Sequence, residues 1–212
     1  MEKSFMVPLQ RNPRIFIDCF PGHFATSSAH CNYYLNFGNL KYNAAAARAA
    51  GRELAMPYLS SVPVETIVCM EKTDIIGAYL AEELLLSESS VINKGGNINV
   101  VTPLGSVDGK LLFTDNVVKL IENKKILLLL DTVSSGHTLA LALECLSYYG
   151  GESTGISALF AVSPNKQTHD INALFVSDDI PGYISVTPAE CKLCKAEIKL
   201  DAIIRSEGYK KI

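Results

Sequence analysis

The fourteen residues KILLLLDTVSSGHT, positions 125–138, limit what this chain can fold into more than any other stretch. Positions 126–130 are all apolar with no polar alternation. A strand with one face in water would alternate, so this run predicts a strand buried on both faces of a parallel sheet. The strand is predicted to stop at Asp131, with a small-residue loop over 132–136 and an apolar helix opened by Thr138. Strand, tight loop and helix start in that order gather backbone N–H groups and the positive helix end around one point, where an anion such as phosphate is held. An acid at the carboxyl end of the strand can accept hydrogen bonds from sugar hydroxyls, so ribose phosphate is the ligand class this segment implies. The plainer reading is a helix cap, because Asp, Ser and Thr all cap well. A cap alone does not require five small residues after a buried strand.

The flanking sequence supplies the rest of an α/β pattern. Positions 16–37 predict one or two strands with loops. Asn43 is a good N-cap for a helix running through the alanines to Met56, and Pro57 ends it. Strands are predicted over 64–70, 98–102 and 156–162, a turn over 93–97 and a loop over 103–110. Helices are predicted from Thr73 or Asp74, with Ile76, Tyr79, Leu80 and Leu84 on one face, from Asp115 or Asn116 to near Lys124, and from Thr138 to Gly150. Strands alternating with helices imply an α/β core around a mostly parallel sheet, with ligands at the carboxyl ends of its strands. The sequence turns polar after Ser163, which suggests a core unit over 1–165 and a C-terminal cap segment over 166–212.

At 212 residues the chain can bury a sizeable core, and 48% hydrophobic against 19% charged residues marks it as globular. A net charge of −3 with no basic stripe argues against nucleic acid as a partner. Pro8, Arg11, Pro13 and Arg14 interrupt any leader-like apolar stretch, and no run approaches membrane-spanning length. Six scattered cysteines read as reduced thiols, so a cytoplasmic location is expected.

The loop matches neither G-x-x-x-x-G-K-[ST] nor G-x-G-x-x-G. It resembles the phosphoribosyl pyrophosphate signature of type I phosphoribosyltransferases: apolar strand, two acids, then a Thr/Ser-Gly loop ending in Thr or Ser. On that pattern Asp131 falls on the second acid, and Ser134, Ser135, Gly136, His137 and Thr138 fall on the 5′-phosphate loop. HFATSSAHCNYYLN (23–36), VETIVCMEKTDIIGAYLAEEL (64–84) and the helix ending LECLSYYGG resemble the orotate branch. The resemblance covers roughly residues 20–165 and implies a small hood built from the terminal segments, Mg²⁺ as cofactor, a nitrogenous base as acceptor and a homodimer. It places Lys72 and Thr73 in the pyrophosphate loop, with Lys72 as a catalytic cation beside Asp131. The departures are specific. Leu130 replaces the first acid, Thr26 a lysine, Thr102-Pro103 an Arg-Lys pair, and Glu71-Lys72-Thr73 a glycine-rich loop, leaving Lys72 and Lys110 as nearby cations. Two functions follow: transfer of ribose 5-phosphate to an orotate-like base, or a relative that binds phosphoribosyl pyrophosphate and regulates without efficient turnover. A different nucleotide-binding α/β fold is a weaker third.

Other residues carry blander expectations. Tyr33 and Tyr34 read as alternating strand positions, and His23 and His30, with no acids nearby, as structural histidines. Cys191-Lys-Leu-Cys194 is half of a zinc site. With no second CxxC or CxxH, a four-ligand site would need distant cysteines or a second subunit. The pair is read as two thiols in a C-terminal turn, and no metal ligand is assigned.

Overall fold

The computed structural model describes residues 3–107, 110–162, 169–205 and 208–211. In chain order its elements are β1 (Phe5–Leu9), β2 (Asn12–Ala25), β3 (His30–Asn36), α1 (Gly38–Tyr42), α2 (Ala44–Ala55), β4 (Thr66–Cys69), α3 (Asp74–Leu86), β5 (Asn99–Val101), β6 (Gly105–Val107), β7 (Lys110–Leu112), α4 (Asp115–Val118), β8 (Lys125–Val133), α5 (His137–Tyr148), β9 (Glu152–Ala161), β10 (Asn172–Val176), β11 (Ser185–Val186), α6 (Lys192–Lys195), β12 (Ala202–Arg205) and β13 (Gly208–Lys211).

The core is a five-stranded sheet in the order β10-β9-β8-β4-β5, parallel throughout. Its central strand explains the unbroken apolar run. Leu127 and Leu129 join Ile67, Cys69 and Leu159 on the face covered by α2 and α3. Ile126, Leu128 and Leu130 join Val68, Ile156 and Ala158 on the face covered by α5. Both faces are dry, so every position of the strand favours a hydrophobe. α2 begins where predicted, with the Asn43 side chain accepting hydrogen bonds from the Ala45 and Ala46 N–H groups. It packs closely on α3: a Cβ at Gly51 would stand 2.7 Å from the Leu80 backbone nitrogen.

A second, mixed sheet forms the hood, in the order β11-β3-β2-β12-β13 with β1 also paired to β2. The two ends of the chain meet there, because β12 runs parallel to β2 through Ala202↔Phe24 and Ile203↔Ala25. The architecture is therefore α/β, a parallel sheet flanked by helices with a hood from the terminal segments.

Three sequence expectations need correction. β8 does not stop at Asp131; Thr132 and Val133 stay in register with Phe160 and Ala161 of β9, since both are good strand formers. The predicted loop over 103–110 contains β6, which pairs antiparallel with β7; Gly105 has φ 128°, open to glycine. The segment assigned to the cap sends β10 into the core sheet beside β9, with Leu174 and Phe175 buried. That short NALFV run was obscured by its polar flanks. The proposed boundary between 165 and 166 lies outside the described residues.

Candidate functional site

The carboxyl ends of β4 and β8 open under the hood into a cavity of about 630 Å³. Its floor holds two acids from different elements. Asp131 sits near the end of β8, and Glu71 lies two residues beyond the end of β4; both line the cavity. Lys41 of α1 reaches between them, its Nζ donating to Asp131 Oδ2 at 2.6 Å and to the Glu71 carbonyl oxygen at 2.8 Å. The Lys41 and Asp131 side chains are only 8% and 16% exposed, so this ion pair is shielded from water.

The pairing is incomplete. Asp131 Oδ1 and Glu71 Oε2 are buried and have no hydrogen-bond partner. Burial raises the Asp131 carboxyl above its ordinary range, against the opposing pull of Lys41 and the Thr132 side chain. Burial, then the Asp131 charge, pushes Glu71 up to about 7, although Lys41 and the Asp131 and Thr132 N–H groups act the other way. Lys41 bonds the Asp131 carboxylate but the backbone of Glu71, so burial beside the Asp131 charge disfavours the charged form of Glu71. The loop carrying Glu71 is strained: Glu71 and Lys72 have φ 53° and 64° without being glycine.

The bend after β8 forms one wall. Gly136 adopts φ 79° and its carbonyl accepts the Ala140 N–H at 2.8 Å, which lets α5 open at His137. Ser134, Ser135, His137 and Thr138 line the main cavity, and a concavity of about 20 Å³ follows residues 132–139, Gly136 included. The bend thus faces open space beside the N-terminus of a twelve-residue helix. Such a hydroxyl-rich backbone concavity can take up an anion.

The hood supplies the roof. Thr26, Ser27 and Ser28 of the β2–β3 turn line the cavity, and Ser28 Oγ donates to Ser135 Oγ at 3.1 Å. Tyr33, Tyr34 and Tyr183 also face it, with Tyr33 and Tyr183 stacked at a 15° interplanar angle. Tyr33 and Tyr34 are therefore cavity residues as well as strand positions. Arg205, at the end of β12, adds a cation.

Asp131, Ser134, Ser135, His137 and Thr138 come together around the cavity, with Gly136 at its edge. Lys72 and Thr73 do not join them. Lys72 is exposed and outside the lining. Thr73 is fully buried, its hydroxyl donating to the Met70 and Leu129 carbonyls, so it locks the loop to β8 and faces no ligand. Lys110 sits exposed on β7, away from the lining. Leu130, where the resemblance expected a first acid, is core; the second acid lining the cavity beside Asp131 is Glu71. Lys41, Glu71 as an acid, and Arg205 were missed. They lie 90, 60 and 74 positions from Asp131, and no local pattern joins them.

No protein-family model matches the chain, and no curated protein matches it. Solved structures do. The UMP synthase of Leishmania donovani superposes with a TM-score of 0.50 at 19% identity, over 68% of this chain and 30% of that one, so the chain spans under a third of that protein's length. A phosphoribosyltransferase from Corynebacterium diphtheriae gives 0.51 at 14% identity, over 74% of this chain and 90% of that one. The orotate phosphoribosyltransferase of Mycobacterium tuberculosis H37Rv, in complex with Fe(III) dicitrate, gives 0.51 at 12% identity, over 77% and 91%. At these identities the likeness is one of fold: the chain has the fold of these phosphoribosyltransferases.

Proposed function

We propose that this protein binds phosphoribosyl pyrophosphate and transfers its ribose 5-phosphate to a nitrogenous base. One observation carries the reading: Ser134, Ser135, His137 and Thr138 of the bend line the same cavity as the Glu71–Asp131 pair. The N–H groups and hydroxyls of Ser134, Ser135 and Thr138 hold the 5′-phosphate, with Gly136 and His137 shaping the turn. Asp131 holds the ribose hydroxyls. The transfer develops positive charge on the sugar and negative charge on the departing pyrophosphate, so the protein acts by positioning and electrostatics. Lys41 and Arg205 replace Lys72 as the cations we place near that charge, because they line the cavity and Lys72 does not.

Mg²⁺ fits these residues. The orphaned oxygens of Asp131 and Glu71 are the hard donors such an ion takes, directly or through water. When bound it would neutralise pyrophosphate charge. The acceptor base is placed against Tyr33, Tyr34 and Tyr183. Arg205 suits an anionic base of the orotate kind, which makes pyrimidine nucleotide synthesis the preferred role. A homodimer is inferred from the orotate-like sequence resemblance. The cytoplasm is inferred from six unpaired cysteines; no helix among the described residues is long and apolar enough to cross a membrane.

A regulatory binder is the second reading. It is favoured by the sparse cations, Lys41 and Arg205 being the lysine and arginine among the described lining residues. A pyrophosphate-release assay over orotate, uracil and purine bases separates the two. Turnover with orotate supports the transferase of the orotate branch; turnover only with another base relocates it to a different branch. Saturable binding with no turnover on any base establishes the regulatory binder.

A further inference from the structure

Outside the cavity, four side chains distant in sequence point at one another. His23 lies on β2, His30 opens β3, Cys191 precedes α6 and Cys194 lies within it. His23 Nε2 is 3.2 Å from His30 Nδ1, 3.4 Å from Cys191 Sγ and 3.6 Å from Cys194 Sγ, and Cys194 Sγ is 3.2 Å from His30 Nδ1. All four ligand atoms lie within 4.8 Å of one another. A tetrahedral ion with bonds of about 2.3 Å to sulfur and about 2.0 Å to nitrogen sets its ligands roughly 3.3–3.8 Å apart. The four edges given above, 3.2–3.6 Å, lie close to that range.

Hydrogen bonding alone accounts poorly for this convergence. His23 Nδ1 sits 2.8 Å from the Ile198 carbonyl oxygen, which can only accept, so Nδ1 is the donor, and in the neutral ring Nε2 offers a single lone pair. Three polar atoms crowd that one lone pair. A carbonyl fixing the far nitrogen of an imidazole is the usual outer-shell support of a metal-bound histidine. His23 is further pinned by its backbone, whose N–H donates to Asp201 Oδ2 and whose carbonyl accepts the Asp201 N–H, each at 2.8 Å. Cys194 is exposed, which leaves an entry path.

We propose that His23, His30, Cys191 and Cys194 bind one Zn²⁺ ion that clamps the C-terminal segment onto the β2–β3 hairpin. Two thiolates and two imidazoles in a tetrahedron select Zn²⁺, and four protein ligands leave no open position, so the ion is structural. None of the four lines the sugar-phosphate cavity, so this site stands apart from that reading. The clamp nevertheless bears on the roof. The turn over 26–28 lies between the two histidines, and Arg205 follows the segment tied to His23. The two halves missing from each other in the sequence are thus a CxxC and a pair of histidines seven residues apart. Distant cysteines and a second subunit are not needed.

The test uses the intact chain, expressed untagged and kept reduced. Elemental analysis is expected to find about one Zn²⁺ per chain. After chelation, Co²⁺ titration is expected to saturate at one equivalent with the intense visible bands of a tetrahedral ion and sulfur-to-metal charge transfer. Cys194→Ser, at an exposed position, is expected to weaken Co²⁺ binding at least about tenfold and to reduce the charge-transfer band while far-UV circular dichroism is retained. The wild-type spectrum needs no variant, so a misfolded mutant does not blunt the test. No stoichiometric uptake, the weak spectrum of an octahedral ion, or a Cys191–Cys194 disulfide under reducing conditions would overturn the proposal.

Discussion

Glu71 is the residue on which the local electrostatics turn. Its carboxyl moves from an ordinary 4.5 up to about 7, chiefly through burial, so the fold favours its protonated form. A group raised in this way stabilises fully below its unfolded pKa, and the contribution fades as pH climbs through the folded value. Wild-type stability is therefore expected to fall between about pH 4.5 and 7 for this group. Glu71→Gln, which keeps the shape and removes the charge, should flatten that fall and leave the variant about 2 kcal/mol more stable than wild type at pH 8, the full shift being discounted for partial exposure. Urea denaturation at pH 5 and pH 8 measures it; a variant with unchanged pH dependence would mean Glu71 is ionised at little cost. At this scale the sequence pointed to one half of the candidate site. Asp131 was legible because strand, bend and helix are contiguous around it. Lys41 was not: it is a single lysine in GNLKY, and only the fold brings its Nζ to Asp131. Nor was the His23–His30 pair, whose meaning depends on a segment some 170 residues away.

Among the elements, the contact between α2 and α3 is set by backbone proximity. A methyl at Gly51 would meet the Leu80 nitrogen at 2.7 Å and the Tyr79 carbonyl carbon at 2.9 Å, and backbone atoms there have little room to yield. Gly51→Ala gains up to about 1 kcal/mol of helix propensity but must push the helices apart, so a net loss of roughly 1–2 kcal/mol is expected in chemical denaturation. A neutral or stabilising result would show that the interface is slack. Element types were readable where a single physical signal dominated: both-face burial for β8, an Asn cap and a proline stop for α2. Boundaries failed where signals conflicted. Thr132 and Val133 extend β8 past a charged residue, and β10 is a five-residue strand whose apolar run is too short to stand out between polar flanks.

For the whole molecule, the division of labour runs between two sheets. The parallel core presents its acids and its bend at one end. The hood, built from both ends of the chain, closes over them with tyrosines, a serine turn and Arg205. An α/β sheet with a hood was inferable from the strand–helix alternation and the family resemblance. The exact seam was not, because the C-terminal stretch serves both layers, sending β10 to the core and β11, β12 and β13 to the hood. In the proposed function this cavity takes a sugar phosphate through Asp131. Isothermal titration of the protein with phosphoribosyl pyrophosphate and Mg²⁺, repeated with Asp131→Asn, tests it directly. Saturable binding at one equivalent per chain is expected, weakened at least about tenfold in the variant by loss of a charged hydrogen-bond acceptor. No binding by the wild type, or equal affinity in the folded variant, would contradict it.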